Sequence, residues 1–209
     1  MREKTVIRAV IFDFGGVLAD EGFREGLEVI AGHNGLDPKE FFALASDAIY
    51  ETGYITGRGN EAGYWDFLRR KTGLAGEDSD LTGEIMRRFV LRPRMMVAVR
   101  LLRASGILAA ILSDQTDWLE RLDARDRFFL EFDRVFNSYR LGKGKRDPTI
   151  FDDTVRALGV APEETLFVDD NAGHVERAAS RGLRAVLFRG QDRFLAGLGP
   201  LLGGKFVFR

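Results

Sequence analysis

Two apolar runs that stop abruptly at carboxylates constrain this chain more than any other feature. Val10-Ile11-Phe12 leads directly into Asp13, and Leu166-Phe167-Val168 leads into Asp169-Asp170 near the other end. A strand buried on both faces reads as a continuous apolar run, the mark of a parallel sheet covered on both sides. In open α/β sheets, ligands gather just beyond the carboxyl ends of such strands. Two strands that each deliver Asp to that edge imply a site for a cation, a nucleophile, or both.

The segments around these runs support the same architecture. Val6 to Phe12 predicts a strand, followed by the pair Gly15-Gly16 and then a long helical stretch. Asp37-Pro38-Lys39-Glu40 combines an N-cap residue, a proline at the first helical position and a Glu two places on, a strong helix start. Asn60 predicts the cap of a second helix, with Gly73 as its stop. Leu81, Ile85 and Phe89 repeat every four residues and predict a third, ending before Pro93. From Pro93 the pattern alternates. A helix through Val97, Leu101 and Leu102 precedes the apolar run Ile107 to Leu112. Then come a short strand at Val135-Phe136, a helix opened by Asp147-Pro148, the strand ending at Asp169, a helix over about 171–181, and a strand from Ala185 to Phe188. Strands alternating with helices imply an α/β fold with a doubly wound parallel sheet. The all-helical stretch 19–92 reads as a second unit inserted at the carboxyl edge of a core formed by residues 1–18 and 93–209.

Composition narrows the functional classes. A net charge of −1 over 209 residues offers no bulk attraction to nucleic acid or anionic membrane. No apolar stretch approaches the roughly 20 residues needed to span a bilayer. The start, Met1-Arg2-Glu3-Lys4, is too polar for a signal peptide, so a cytoplasmic protein is expected. The absence of cysteine excludes disulfides, thiolate metal sites and a Cys nucleophile.

Four places fall at strand ends or in the loops beyond them: Asp13, Ser113-Asp114, Lys145 and Asp169-Asp170. Each has an ordinary structural explanation: a Gly-rich turn, a helix-capping turn, a solvated basic loop. The adjacent acids are the hardest to explain that way, because they repel each other unless a cation or donors hold them. Together the four form a complete chemical set. Carboxylates from two strands can ligate Mg²⁺ through oxygen, with waters and a substrate phosphate completing the shell. A hydroxyl and a lysine supply a donor and a positive charge for a phosphoryl group. One carboxylate can attack phosphorus and form an aspartyl phosphate.

In these residues the chain resembles the haloacid dehalogenase-like (HAD) hydrolase superfamily, over nearly its whole length. The first family motif is similar to Phe12-Asp13-Phe14-Gly15-Gly16-Val17-Leu18 and the second to Leu112-Ser113-Asp114. The third is similar to Gly142-Lys143-Gly144-Lys145-Arg146-Asp147-Pro148 and the fourth to Phe167-Val168-Asp169-Asp170-Asn171. The wording is most similar to a sugar-phosphate phosphatase subgroup with Gly two places after the nucleophile. The resemblance implies a Rossmann-like core with an inserted helical cap, and a hydrolase (phosphatase) acting on small phosphomonoesters such as sugar phosphates. It implies Asp13 as nucleophile and metal ligand, Gly15 as a ligand through its backbone carbonyl, and Asp170 as the second side-chain ligand, with Asp169 in support. It implies Ser113 and the Asp114 N–H as phosphoryl donors and Lys145 as the neutralising charge, with Mg²⁺ as cofactor.

The pattern is broken at position 15. Family phosphatases usually carry there an Asp that protonates the leaving group, a contribution of about 10²–10⁴-fold for general acid–base catalysis. Gly15 cannot supply it, which leaves three outcomes: another acid, with Asp20, Glu21 or a cap residue as candidates; hydrolysis only of substrates with good leaving groups; or ligand binding without turnover. Arg146 stands where the family often has Pro, and His174 where it often has Asn or Asp. In the cap, the aromatic residues Tyr50, Tyr54, Tyr64 and Trp65 read mainly as core packing. Arg58, between Gly57 and Gly59, is the cap residue expected to face a substrate. The alternatives are a 2-haloacid dehalogenase, which also lacks the second Asp, and a catalytically impaired phosphate-ester binding protein.

Overall fold

The sheet is built around its first strand. The computed structural model describes residues 6–202, so the polar opening Met1-Arg2-Glu3-Lys4 lies outside the described residues. The five strands are β1 (Ala9–Phe12), β2 (Leu108–Ser113), β3 (Arg134–Asn137), β4 (Thr165–Asp169) and β5 (Arg184–Leu187). They lie in the order β3-β2-β1-β4-β5, and every pairing is parallel. β1 is shorter than the apolar run predicts, because pairing begins at Ala9 rather than Val6, which is 65% exposed.

The continuous apolar runs have the physical cause the sequence implies. Successive side chains of a strand point to opposite faces. Val10 and Phe12 join one apolar cluster, while Ile11 joins another on the far side of the sheet. The first cluster is covered by α5 (Pro93–Ala104), α6 (Trp118–Asp126) and α10 (Gln191–Leu201) through Val99, Leu102, Trp118, Leu122 and Phe194. The second is covered by α8 (Thr149–Leu158) and α9 (Ala172–Ser180) through Ile150, Phe151 and Ala178. The fold is therefore a doubly wound parallel α/β sheet. Helix α10 carries the weak helix formers Gly197, Gly199 and Pro200, yet its buried residues Phe194, Leu195 and Leu198, with Leu202 at its C-cap, recur at helical spacing.

Between β1 and α5 lie α1 (Gly22–His33), α2 (Pro38–Glu51), α3 (Glu61–Thr72) and α4 (Asp78–Met86). α2 starts as its cap predicts: Asp37 Oδ1 accepts from the N–H groups of Lys39 (3.0 Å) and Glu40 (2.9 Å). α3 starts on Asn60 and stops at Gly73, whose φ of 72° is the left-handed end that favours glycine. α4 ends sooner than its four-residue repeat predicts. Arg88 and Phe89 bond back only three residues, to Ile85 and Met86, and the chain turns so that the Phe89 ring meets Phe14, 5.8 Å away between centroids. A short helix, α7 (Ser138–Leu141), follows β3.

The two passages between sheet and helices are tied together. Asp20 N donates to Val90 O (2.9 Å) and Arg92 N to Leu18 O (2.8 Å). The Arg92 guanidinium donates to Gly16 O (2.5 Å) and to Asp20 Oδ1 (3.1 Å). These bonds fix the path of the chain just after Asp13. No helix among the described residues is long and apolar enough to cross a membrane.

Within the helical insertion, α1 and α4 touch through Gly26. A Cβ there would stand 2.6 Å from Ile85 Cα, a backbone atom that cannot move aside alone. Gly26→Ala should lower stability by about 1–3 kcal/mol through overpacking, although alanine is the better helix former by up to ~1 kcal/mol. Urea denaturation reads the sign; a variant at least as stable as wild type would mean the two helices do not approach this closely.

Candidate active site

The site begins where β1 and β4 end. Asp13 N donates to Val168 O (2.9 Å), which carries the pairing of the two strands one residue further. Asp13 Oδ1 accepts from Phe14 N at 2.7 Å, and Asp169 Oδ1 from Asn171 N at 2.8 Å. These local bonds fix both carboxylates at the strand ends.

Lys145 lies between them with no exposed surface. Its Nζ is 2.8 Å from Asp13 Oδ1 and 2.7 Å from Asp169 Oδ2. A buried ammonium is tolerable only when paired and hydrogen-bonded. Burial works against the charged form, yet the charges of Asp13 and Asp169 outweigh it and leave the Lys145 pKa raised. Its backbone is held at both its N–H and its carbonyl. Asp114 Oδ1 accepts from Lys145 N (2.8 Å), Tyr50 OH donates to Asp114 Oδ2 (2.5 Å), and Arg177 Nε donates to Lys145 O (2.8 Å). The Asp114 side chain thus acts as a strut for the lysine loop.

The carboxylates divide electrostatically. Burial pushes Asp13 up, Lys145 opposes this, and the charges of Asp169 and Asp170 add to the rise. Asp169 is also buried, but Lys145 and His174 together hold it below the usual carboxylate range. Its partner His174 places Nδ1 3.2 Å from Asp169 Oδ2. Asp170 is raised by burial first and by the Asp169 charge second. Asp13, Asp169 and Asp170 offer oxygens that all lie within 4.8 Å of one another. A cluster of hard oxygen donors with mutual repulsion is the chemistry that suits a small divalent cation. The approach is so close that any Cβ on Gly16, at φ 75°, would collide with the Asp170 carboxylate.

Asp13, Gly15, Ser113, Asp114, Lys145 and Asp170 all line one cavity of about 470 Å³. Residues of the helical insertion close its other side, among them Glu21, Phe23, Arg24, Phe42 and Tyr50. Burial pushes the Glu21 carboxyl up to about 7, although Arg24 N–H bonding opposes it.

Arg58 is not among the residues lining the cavity, which corrects the expectation drawn from its flanking glycines. Gly53 and Gly57 both take positive φ (73° and 67°) and fold the segment into a tight turn. That turn packs on the backbone of Tyr139, and Arg58 is exposed, its Nε donating to Thr56 Oγ1 (3.1 Å). The glycines serve close packing rather than mobility. The insertion's arginine at the cavity is Arg24, three residues beyond Glu21. The aromatic set also divides: Tyr54, Tyr64 and Trp65 are buried around Trp118, whereas half-buried Tyr50 faces the cavity. Arg177 follows His174 by one helical turn, a spacing that places both on one face of α9 and could have flagged the pair.

Comparison with known proteins gives one consistent result. A family model for haloacid dehalogenase-like hydrolases matches residues 7–182. Acyl-CoA dehydrogenase family member 10 of Mus musculus is 27% identical over 213 residues, covering 94% of this chain and 19% of that protein. The D-ribitol-5-phosphate phosphatase of Bacteroides thetaiotaomicron is 44% identical over 43 residues, 21% of each chain. This chain spans between 14% and 22% of the length of the curated relatives it matches. Among solved structures, a HAD family enzyme from Bacteroides thetaiotaomicron in complex with magnesium and inorganic phosphate superposes with a TM-score of 0.71 at 23% identity, covering 89% of this chain and 96% of that one. That likeness is one of fold.

Removing the central cation should expose the cost of the carboxylate cluster. Lys145→Met is expected to destabilise the protein by about 3–5 kcal/mol near neutral pH, because it leaves buried carboxylates unpaired. The loss should shrink as pH falls and those carboxyls take up protons. Urea denaturation without added divalent ions at several pH values checks this; a loss that does not vary with pH would assign Lys145 a packing role instead.

Proposed function

This chain belongs to the haloacid dehalogenase-like hydrolase family, and on that premise we propose that it is a Mg²⁺-dependent phosphatase of small phosphomonoesters, sugar phosphates among them. The observation that carries the reading is the buried Lys145 ammonium bridging Asp13 and Asp169 beside Asp170, on the floor of a cavity about 470 Å³ in volume. That arrangement concentrates charge of both signs where a phosphate dianion would sit. Phosphoryl transfer asks mainly for such positioning and neutralisation.

In this reading Asp13 is the nucleophile. Lys145 holds the Asp13 carboxylate in place and offsets negative charge as a phosphate approaches. The Ser113 hydroxyl and the Asp114 N–H donate to phosphoryl oxygens, while the Asp114 side chain stays occupied with Lys145 N and Tyr50. Asp13, Asp170 and the Gly15 carbonyl would hold Mg²⁺. The ion would neutralise the phosphoryl and carboxylate charge that Lys145 alone cannot. Among the described residues, 19–92 form the cap that closes the cavity, and those on either side of it form the core.

Two similar proteins support this choice: the ribitol-phosphate relative, a phosphatase, and the structural neighbour that holds magnesium and phosphate. Hydrolysis of a carbon–halogen bond needs no cation, and three converging carboxylates would be a costly ornament for it.

With Mg²⁺ present, the protein should release phosphate from p-nitrophenyl phosphate and from members of a sugar-phosphate panel. A chelator should abolish the activity, and Asp13→Asn should lower kcat by at least about 10³-fold, as expected when a nucleophile is lost. Turnover indifferent to chelator, or chloride release from 2-chloropropionate without phosphatase activity, would overturn the reading.

A further inference from the structure

Gly15 leaves position 15 on the β1 loop without a carboxyl, and the structure supplies one from the opposite wall. Glu21 caps α1: its Oε2 accepts from Arg24 N at 2.8 Å. That bond anchors the carboxyl and leaves Oε1 directed inward. Oε1 stands 3.9 Å from where a Cβ on Gly15 would be, so it borders the space that a side chain at position 15 would enter. Glu21 lines the same cavity as Asp13 and Asp170. The other acid at this bend, Asp20, bonds Arg92 Nε at 3.1 Å and does not line the cavity.

We infer that Glu21 is the general acid and base of the reaction, a catalytic carboxyl delivered by the start of the first cap helix in place of one on the β1 loop. The inference rests on the phosphatase reading above. In the first step an Asp13 oxygen attacks phosphorus, the bond from phosphorus to the ester oxygen breaks, and that oxygen takes the Glu21 proton to leave as an alcohol. In the second step water attacks phosphorus, Glu21 takes up a proton from it, and the bond to Asp13 breaks to release phosphate. Ester and water give alcohol and phosphate, and Glu21 ends protonated as it began.

The surroundings suit this cycle. The charged groups that act on Glu21 are Arg24 and Glu25 on its own helix and Asp170 across the cavity. The ring of Phe89, 3.2 Å from where a Cβ on Gly15 would be, borders the same space and brings no charge. A carboxyl pushed up to about 7 by burial can both give and accept a proton near neutral pH. The tie between Asp20 N and Val90 O fixes the residue just before it.

The test is Glu21→Gln, which keeps an oxygen for Arg24 N–H and removes the transferable proton. Its thermal midpoint should match that of wild type, showing an intact fold. With β-glycerol phosphate, whose leaving group needs protonation, turnover should fall about 10²-fold or more, with no burst. With p-nitrophenyl phosphate, the first step needs no acid but the second still needs a base. The variant should therefore give a rapid burst of nitrophenol, close to one per active site, before a steady state slowed by a similar factor. Losses within threefold on both esters, or a slowed first step with p-nitrophenyl phosphate, would overturn the role of Glu21 while leaving the phosphatase reading intact. A wild-type protein that turns over neither ester with Mg²⁺ would overturn the phosphatase reading itself.

Discussion

Lys145 Nζ sits between Asp13 and Asp169 with no contact to solvent, and much of the molecule is arranged around that fact. An unpaired ammonium at this depth would be too costly to keep charged. The two carboxylates that pair with it come from different strands, so the ion pair is only possible when β1 and β4 lie side by side in register. Its backbone is in turn clamped by Asp114, which follows β2, and by Arg177 on α9. One charged atom thus depends on the sheet, one crossover helix and two loops at once. The two carboxylates respond in opposite directions: Asp13 is raised, and Asp169, with His174 as a further donor, is lowered.

The helical insertion meets this floor through a shared apolar cluster, in which Tyr54, Tyr64 and Trp65 pack around Trp118, and through a few polar ties. Tyr50 reaches down to Asp114, and Tyr54 donates to Asp117, on the turn that leads from β2 into α6. Glu61 accepts from Trp118 Nε1 at 2.6 Å. Arg92 and the backbone pairs at 18–20 and 90–92 hold the entry and exit strands of the insertion against each other. The start of α1 therefore has a defined position over Gly15, which is what makes the Glu21 carboxyl relevant to chemistry on the other wall. A cap tied in this way brings its first helix to the site without any residue of β1 having to do so.

Much of the fold could be read along the chain. The apolar runs ending at Asp13 and Asp169 became β1 and β4, because strands covered on both faces carry no polar alternation. The caps at Asp37, Asn60 and Gly73 work through bonds between near neighbours, so they were legible too. The four-residue repeat predicts Phe89 as helical, but its ring is recruited by Phe14, a partner 75 positions away. Arg58 departs from its expected place for a related reason. Flanking glycines signal unusual backbone angles, and whether such a turn faces a ligand or packs on Tyr139 depends on a loop that arrives much later in the chain.

By itself, the sequence determined which side chains are available: acids at two strand ends, a lysine, a hydroxyl, and no carboxyl at position 15. Those are local properties, set by residue type and by the period of the apolar pattern. Tertiary structure decided which of these groups face one another. Lys145 lies in a segment that reads as a solvated basic loop, and it became the buried centre of the site only because two distant carboxylates converge on it. Glu21 and Asp20 are adjacent and chemically alike; Arg92 took one, and the cavity kept the other. Charge, burial and proton affinity depend on neighbours in space, and those neighbours are chosen by the fold.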